Sequence, residues 1–300
     1  MFLLGTSWKM NKTRGEARAW VERVHGSGIA DAHGADAHGA ANGVAVAGAD
    51  GIAAAPAPPR PGRLSLFVVP PFTAIEATLE AIVARGATIA VGAQNVHEAR
   101  EGARTGEVSA TMLAELGCRF VEIGHSERRG LFAETDEAVA AKVRAVLDHG
   151  MTPLVCVGDT REERDAHASL DSVLRQARIA LSRCTREEQA RCRLAYEPVW
   201  AIGVGGEAAS PDDVATVHGA LRERCPDTPL LYGGSVDADN APSLARLEDV
   251  DGLFVGRAAL DPDGFVAIAR AVSEAVAAAA AKPFTGGIAP TPPHQGERTG

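Results

Sequence analysis

The 300-residue chain reads as an α/β protein, one large domain in which eight short parallel strands alternate with helices. Three observations predict this. Short apolar runs recur along the chain and are nearly continuous, as strands covered on both faces require. The segments between them carry helical periodicity with capping residues at their ends. Setting aside two low-complexity stretches leaves about 240 residues, close to the ~250 of a (β/α)8 barrel.

Phe2-Leu3-Leu4 opens the series. His25 to Arg63 then departs from it: Ala, Gly, His, Asp and Pro dominate, and large side chains are almost absent. Such a tract cannot bury enough apolar surface to offset the cost of ordering, so residues 25–63 read as a disordered insertion. His25, His33 and His38 are irregularly spaced and lack supporting cysteines or carboxylates, so no metal is assigned to them.

The second strand, Leu64 to Val69, is ended by Pro70-Pro71. Thr88 to Val91 and Phe120 to Ile123 are the third and fourth. Thr135 is placed to N-cap a helix whose Val139, Val143, Val146 and Leu147 share one face, ending at His149-Gly150. Pro153 to Cys156 and Leu194 to Tyr196 follow as strands. Ser210-Pro211-Asp212-Asp213 starts another helix, with Pro at its first position, acids near the positive end of the dipole, and Val214, Val217 and Leu221 as its buried stripe. Pro229 to Tyr232 and Gly252 to Val255 complete the strands, and residues 282–300 form a Pro/Gly-rich tail after a barrel spanning 1–281. This pattern alone suits a closed parallel barrel and a doubly wound open sheet equally.

Composition narrows the partners. A net charge of −9, with acids and bases mixed along the chain, argues against nucleic acid or an anionic membrane surface but not against a small anionic ligand. No stretch reaches the roughly 18 apolar residues of a membrane span. The short apolar start of the chain is no secretion signal, and five cysteines without a CxxC pair suit a reducing, cytoplasmic setting.

Five polar motifs fall just after predicted strands, where barrel enzymes carry their active sites. They are Thr6 to Asn11, Gly124 to Arg129, Glu197 to Gly203, Gly233 to Val236, and Gly256-Arg257. Their most specific pieces, Tyr196-Glu197-Pro198-Val199-Trp200-Ala201-Ile202-Gly203, Ile123-Gly124-His125-Ser126-Glu127-Arg128-Arg129 and Tyr232-Gly233-Gly234-Ser235-Val236, resemble triosephosphate isomerases closely. The resemblance covers the chain apart from the insertion and the tail. It implies a TIM barrel, a cytoplasmic homodimer of glycolysis and gluconeogenesis, a small phosphorylated sugar as substrate, and no metal or cofactor.

On that resemblance Glu197 is the base that moves a proton between neighbouring carbons, in a site dry enough to raise its basicity. His125 precedes a short helix starting at Ser126; a helix N-terminus disfavours imidazolium, so it would act as a neutral donor. This pairing is the familiar worked example for triosephosphate isomerase itself. Lys9 supplies positive charge and Glu127 holds it. Backbone N–H groups of Gly203, Ser235 and Gly256 would bind phosphate, since chain approaches an anion closely at such turns. Pro198 to Ala209 reads as a lid, rigid at Pro-Val-Trp and glycine-rich beyond it. Gly102 to Glu107 resembles the loop that enters the partner subunit, with Thr105 near the partner's site.

Three departures bear on these expectations. Ser7-Trp8-Lys9 stands where the family normally has Asn-Trp-Lys, so a short hydroxyl replaces an amide donor. Gly256-Arg257 stands for the usual Gly-Gly, adding a guanidinium beside the phosphate pocket. Arg104 replaces an aromatic in the interface loop. Ser7 and Arg257 also resemble the branch that converts L-erythrulose 1-phosphate to D-erythrulose 4-phosphate in erythritol breakdown. The expected reaction is therefore interconversion of dihydroxyacetone phosphate and D-glyceraldehyde 3-phosphate, with the tetrulose reaction as the alternative. A sugar-phosphate binder without turnover ranks below both. A phosphate-binding aldolase or synthase ranks last, for want of a strand-borne Schiff-base lysine or metal ligands.

Overall fold

The computed structural model describes residues 1–30, 64–202 and 206–280. All eight expected strands are present: β1 Phe2–Ser7, β2 Leu64–Val69, β3 Ile89–Ala93, β4 Phe120–Ile123, β5 Thr152–Val157, β6 Arg193–Tyr196, β7 Leu230–Tyr232 and β8 Gly252–Val255. Each pairs in parallel with the next, and β8 pairs back onto β1 with Leu4 opposite Leu253, closing the barrel. Closure resolves the ambiguity left by the strand pattern. It also sets the C-terminal ends of all eight strands, and the motifs that follow them, around one rim.

The helices start where the sequence places their caps. Thr135 caps Asp136–Asp148 by accepting from the Ala138 N–H. Ser210 caps Pro211–Arg224 and forms a reciprocal box with Asp213. The apolar stripes of both helices are buried in the shell between barrel and helices. The first and last helices, Arg14–Gly26 and Pro262–Ala280, are joined through aromatic rings: Trp20 lies 5.2 Å from Trp8 and 5.1 Å from Phe265, and its indole donates to the Ala259 carbonyl at 3.0 Å. No described helix is long and apolar enough to cross a membrane.

One boundary moves. The first helix continues to Gly26, and Ile29 and Ala30 are buried in the shell, so the opening residues of the segment read as an insertion from His25 belong to the folded body. Ile29 is the apolar anchor that the low-complexity composition around it concealed. Residues 31–63 and the 282–300 tail lie outside the described residues.

Candidate active site

Alternation along the strands determines what the rim presents. Leu3, Phe67, Leu154, Ala195, Leu231 and Phe254 fill the barrel interior, where the Phe67 ring stacks 4.8 Å from Phe120 and 5.6 Å from Phe254. Gly5 makes room for that ring, because a Cβ there would stand 2.1 Å from it. Side chains on one strand face recur every second residue. Two or four steps beyond this apolar floor the same face carries Ser7, Glu122, Cys156, Glu197 and Gly233. The site is the polar end of the barrel's own interior.

Glu197 is 4% exposed. Its N–H donates to the Val157 carbonyl at 2.8 Å, extending the sheet ladder one residue past β6. The backbone of Gly158 presses against it, and a Cβ on Gly233 would come within 2.7 Å of the Glu197 Cγ. Packing therefore fixes the side chain while Oε2 is left buried with no hydrogen-bond partner. Burial pushes this carboxyl up to about 8, nearby Glu122 adds to the rise, and Lys9 opposes it. An unpaired, desolvated carboxylate oxygen is a strong base.

His125 is the N-cap of helix Ser126–Phe132, and its Nδ1 accepts the Glu127 N–H at 3.1 Å. With Nδ1 occupied as an acceptor, the ring proton resides on Nε2, which lies 3.5 Å from Glu197 Oε2. Burial, with positive Lys9 acting the same way, lowers the imidazole to about 4. At neutral pH His125 is therefore uncharged, and its contact with Glu197 is not an ion pair. Gly124, at φ 74°, positions the ring: its N–H donates to Glu134 at 3.0 Å, and its carbonyl accepts from Arg129 at 2.7 Å. Glu134 in turn pairs with buried Lys142, and Arg129 with Asp136. The turn that aims His125 is thus held by charged groups that are themselves paired.

Lys9 sits in the left-handed region, at φ 51°, an uncommon conformation for a residue with a side chain. Its carbonyl accepts from Gln94 at 3.0 Å, and its Nζ meets Glu127 Oε1 at 2.8 Å. Burial pushes the Glu127 carboxyl up, but the hydrogen bond and charge of Lys9 outweigh that and hold it below its ordinary value. The expected Lys9–Glu127 pair is present.

Sequence reasoning passed over Glu122. It is buried within β4, and Ser7 Oγ donates to its Oε2 at 2.7 Å. One carboxylate oxygen of Glu122, one ring nitrogen of His125 and one carboxylate oxygen of Glu197 lie within 4.8 Å of one another. The signal was available: an acid on the inward face of an otherwise apolar four-residue strand needs a reason to be there.

The remaining expectations fall at the edges of the rim. Ser235 follows β7 and is exposed, its carbonyl accepting from Asn240 at 3.0 Å. Gly256 follows β8 and leads into the short turn Arg257–Ala259, with Arg257 exposed. Gly203 lies outside the described residues, with part of the expected lid. What is described of that segment is well anchored. Buried Asp159 accepts from the Trp200 indole at 3.0 Å and from the Tyr196 hydroxyl at 3.0 Å, and the Arg164 guanidinium stacks 3.7 Å over Trp200. Asp159 is a second residue that the sequence reading missed. Thr105 lies in an exposed projection, residues 101–107.

Comparison with known proteins agrees with this geometry. A family model described as triosephosphate isomerase matches residues 46–272. The triosephosphate isomerase of Roseiflexus castenholzii is 39% identical over 281 residues, covering 90% of this chain and 97% of that protein. The L-erythrulose-1-phosphate isomerase of Mesorhizobium japonicum is 41% identical over 285 residues, covering 92% and 99%. The crystal structure of triosephosphate isomerase from Bartonella henselae superposes with a TM-score of 0.71 at 30% identity, covering 90% of this chain and 98% of that one. The chain is an isomerase and belongs to the triosephosphate isomerase family.

Proposed function

We propose that the protein interconverts dihydroxyacetone phosphate and D-glyceraldehyde 3-phosphate, with Glu197 as the base and without metal or cofactor. The observation that carries this reading is the unpartnered Glu197 Oε2 beside the Nε2–H of a neutral His125. Glu197 takes a proton from the hydroxymethyl carbon. The C–H electron pair becomes the C=C bond of an enediol(ate), and charge moves onto the former carbonyl oxygen. Nε2–H of His125 and the Lys9 ammonium stabilise that oxygen. His125 Nε2 gives its proton to that oxygen and takes one from the neighbouring hydroxyl. Glu197 returns a proton to the neighbouring carbon as the new C=O forms, so the net reaction transfers hydrogen within one molecule. Backbone N–H groups at Gly203, Ser235 and Gly256, with the Arg257 guanidinium, hold the phosphate.

A homodimer through the Thr105 loop fits the exposure of residues 101–107 and of Met10, which is 96% exposed next to Lys9. A cytoplasmic place in glycolysis and gluconeogenesis accords with five free cysteines.

One observation favours a second reading. Ser7, shorter than an amide side chain, is turned onto Glu122, an arrangement that would suit the longer L-erythrulose 1-phosphate. Measuring kcat/KM for D-glyceraldehyde 3-phosphate and L-erythrulose 1-phosphate in one buffer separates the two. Triose turnover near the diffusional ceiling of about 10⁸–10⁹ M⁻¹s⁻¹ supports the first. Slow triose turnover with efficient tetrulose turnover supports the second, and neither activity defeats both.

A further inference from the structure

Glu122 plays no part in the reaction as written, yet it is 2% exposed on the same inner face as the base. We propose that Glu122 is a positioning residue for the base: oriented by Ser7, it shares a single proton with Glu197 and so sets when Glu197 is ionised. The proposal rests on Glu197 being the base.

The geometry makes the sharing hard to avoid. Glu122 faces inward from β4 and Glu197 from the residue after β6, and the cluster they form with His125 spans no more than 4.8 Å between donor atoms. Two carboxylates this close and this dry cannot both ionise cheaply, so they give up their protons in two coupled steps. The surrounding groups do not cancel the repulsion. Lys9, from the segment after β1, is already paired with Glu127. His125 is neutral, and the Cys156 thiol on β5 is held protonated by burial and by both carboxylates, its hydrogen bond to Glu197 offsetting only part of what burial and Glu122 do to that carboxyl. Arg128, from the helix after β4, acts on Glu122 only as the weakest of its neighbours. Ser7 is the remaining contact, and its hydroxyl donates to Glu122 Oε2, favouring charge on that member of the pair. A charged Glu122 then strengthens Glu197 as a base toward carbon, whereas a protonated Glu122 releases it. Burial and the Glu122 charge both act on Glu197 in the direction this arrangement requires.

The test is Glu122→Gln, which preserves shape and an acceptor for Ser7. On whichever phosphate the enzyme turns over, kcat/KM is measured against pH for the parent and the variant. The acid limb of the parent should reflect two coupled groups. That of Glu122→Gln should reflect one, displaced about one pH unit lower. A variant profile that superimposes on the parent's after scaling overturns the proposal. Should the variant not fold, carbonyl-labelled glutamate followed by ¹³C NMR in the unsubstituted protein decides, with Glu197 assigned through Glu197→Gln. Two resonances titrating together support the sharing; a second carboxyl titrating alone near its ordinary ~4.3 overturns it. Unimpaired turnover in Glu197→Gln would instead remove the base reading itself. Loss there, with an unchanged profile in Glu122→Gln, removes only the present inference.

Discussion

The two sides of the rim are built in opposite ways. On the side of β1, β4 and β6, the groups that would touch reacting atoms are buried or half-buried side chains, each fixed by a neighbour: Ser7 on Glu122, Lys9 on Glu127, and His125 by the Glu127 N–H. After β7 and β8, Ser235 and Arg257 are exposed, and what is offered is backbone N–H and one guanidinium. Proton transfer needs groups whose ionisation is altered, and burial among fixed charges does that. Gripping a phosphate needs donors of ordinary chemistry at close approach, which turns supply without burial. The first side stores electrostatic cost for catalysis; the second does not.

Breaking that division gives the largest effect at Glu197. Glu197→Gln should lower kcat by about 10²–10⁴-fold with little change in KM, measured by initial rates. Gly233→Ala tests placement without altering any ionisable group. Its methyl would crowd the Glu197 Cγ at 2.7 Å and displace the base, so kcat should fall by roughly 10²-fold while the fold, read by circular dichroism, survives. On the opposite side the signature should reverse. Arg257→Ala should raise KM by about tenfold and leave kcat nearly unchanged. A fall in kcat alone would place Arg257 among the reacting groups and blur the contrast.

The smallest effect is on stability. The Glu197 carboxyl is raised to about 8 in the folded chain against about 4.5 unfolded, so the folded state holds its proton more tightly. Its contribution is present below the unfolded value and is lost as pH rises through about 8. Glu197→Gln, which cannot ionise, should therefore gain on the parent as pH rises, with a Tm difference that grows between pH 5 and pH 9. A difference that stays constant with pH would mean that Glu197 is not under electrostatic strain.

Much of this was legible from local signals. The eight strands are short and apolar, and helices Asp136–Asp148 and Pro211–Arg224 begin at the residues whose side chains can cap them, because capping is decided within four residues. Ser7, Lys9, His125, Glu127 and Glu197 were identified by motif, and the structure brings them together at one side of the rim. Two buried acids escaped notice. Glu122 was passed over inside an otherwise apolar strand, and the role of Asp159 exists only because Tyr196 and Trp200 of one motif and Ser169 of another segment converge on it. The start of the low-complexity stretch was misjudged for a related reason: Ile29 is unremarkable by composition and is retained only by the shell it packs into.

What the sequence determined alone is therefore whatever depends on neighbours along the chain: strand and helix identity, capping, and the motifs that name the chemistry. The strand pattern by itself left barrel and open sheet open; the motifs implied the barrel, and the pairing of Leu3 to Thr6 of β1 with Gly252 to Val255 of β8 closes it. The tertiary structure decided the ionisation of the site. Desolvation and like charge act through space, and Glu122, 75 residues from Glu197 in the chain, becomes its neighbour only when β4 and β6 turn the same face inward.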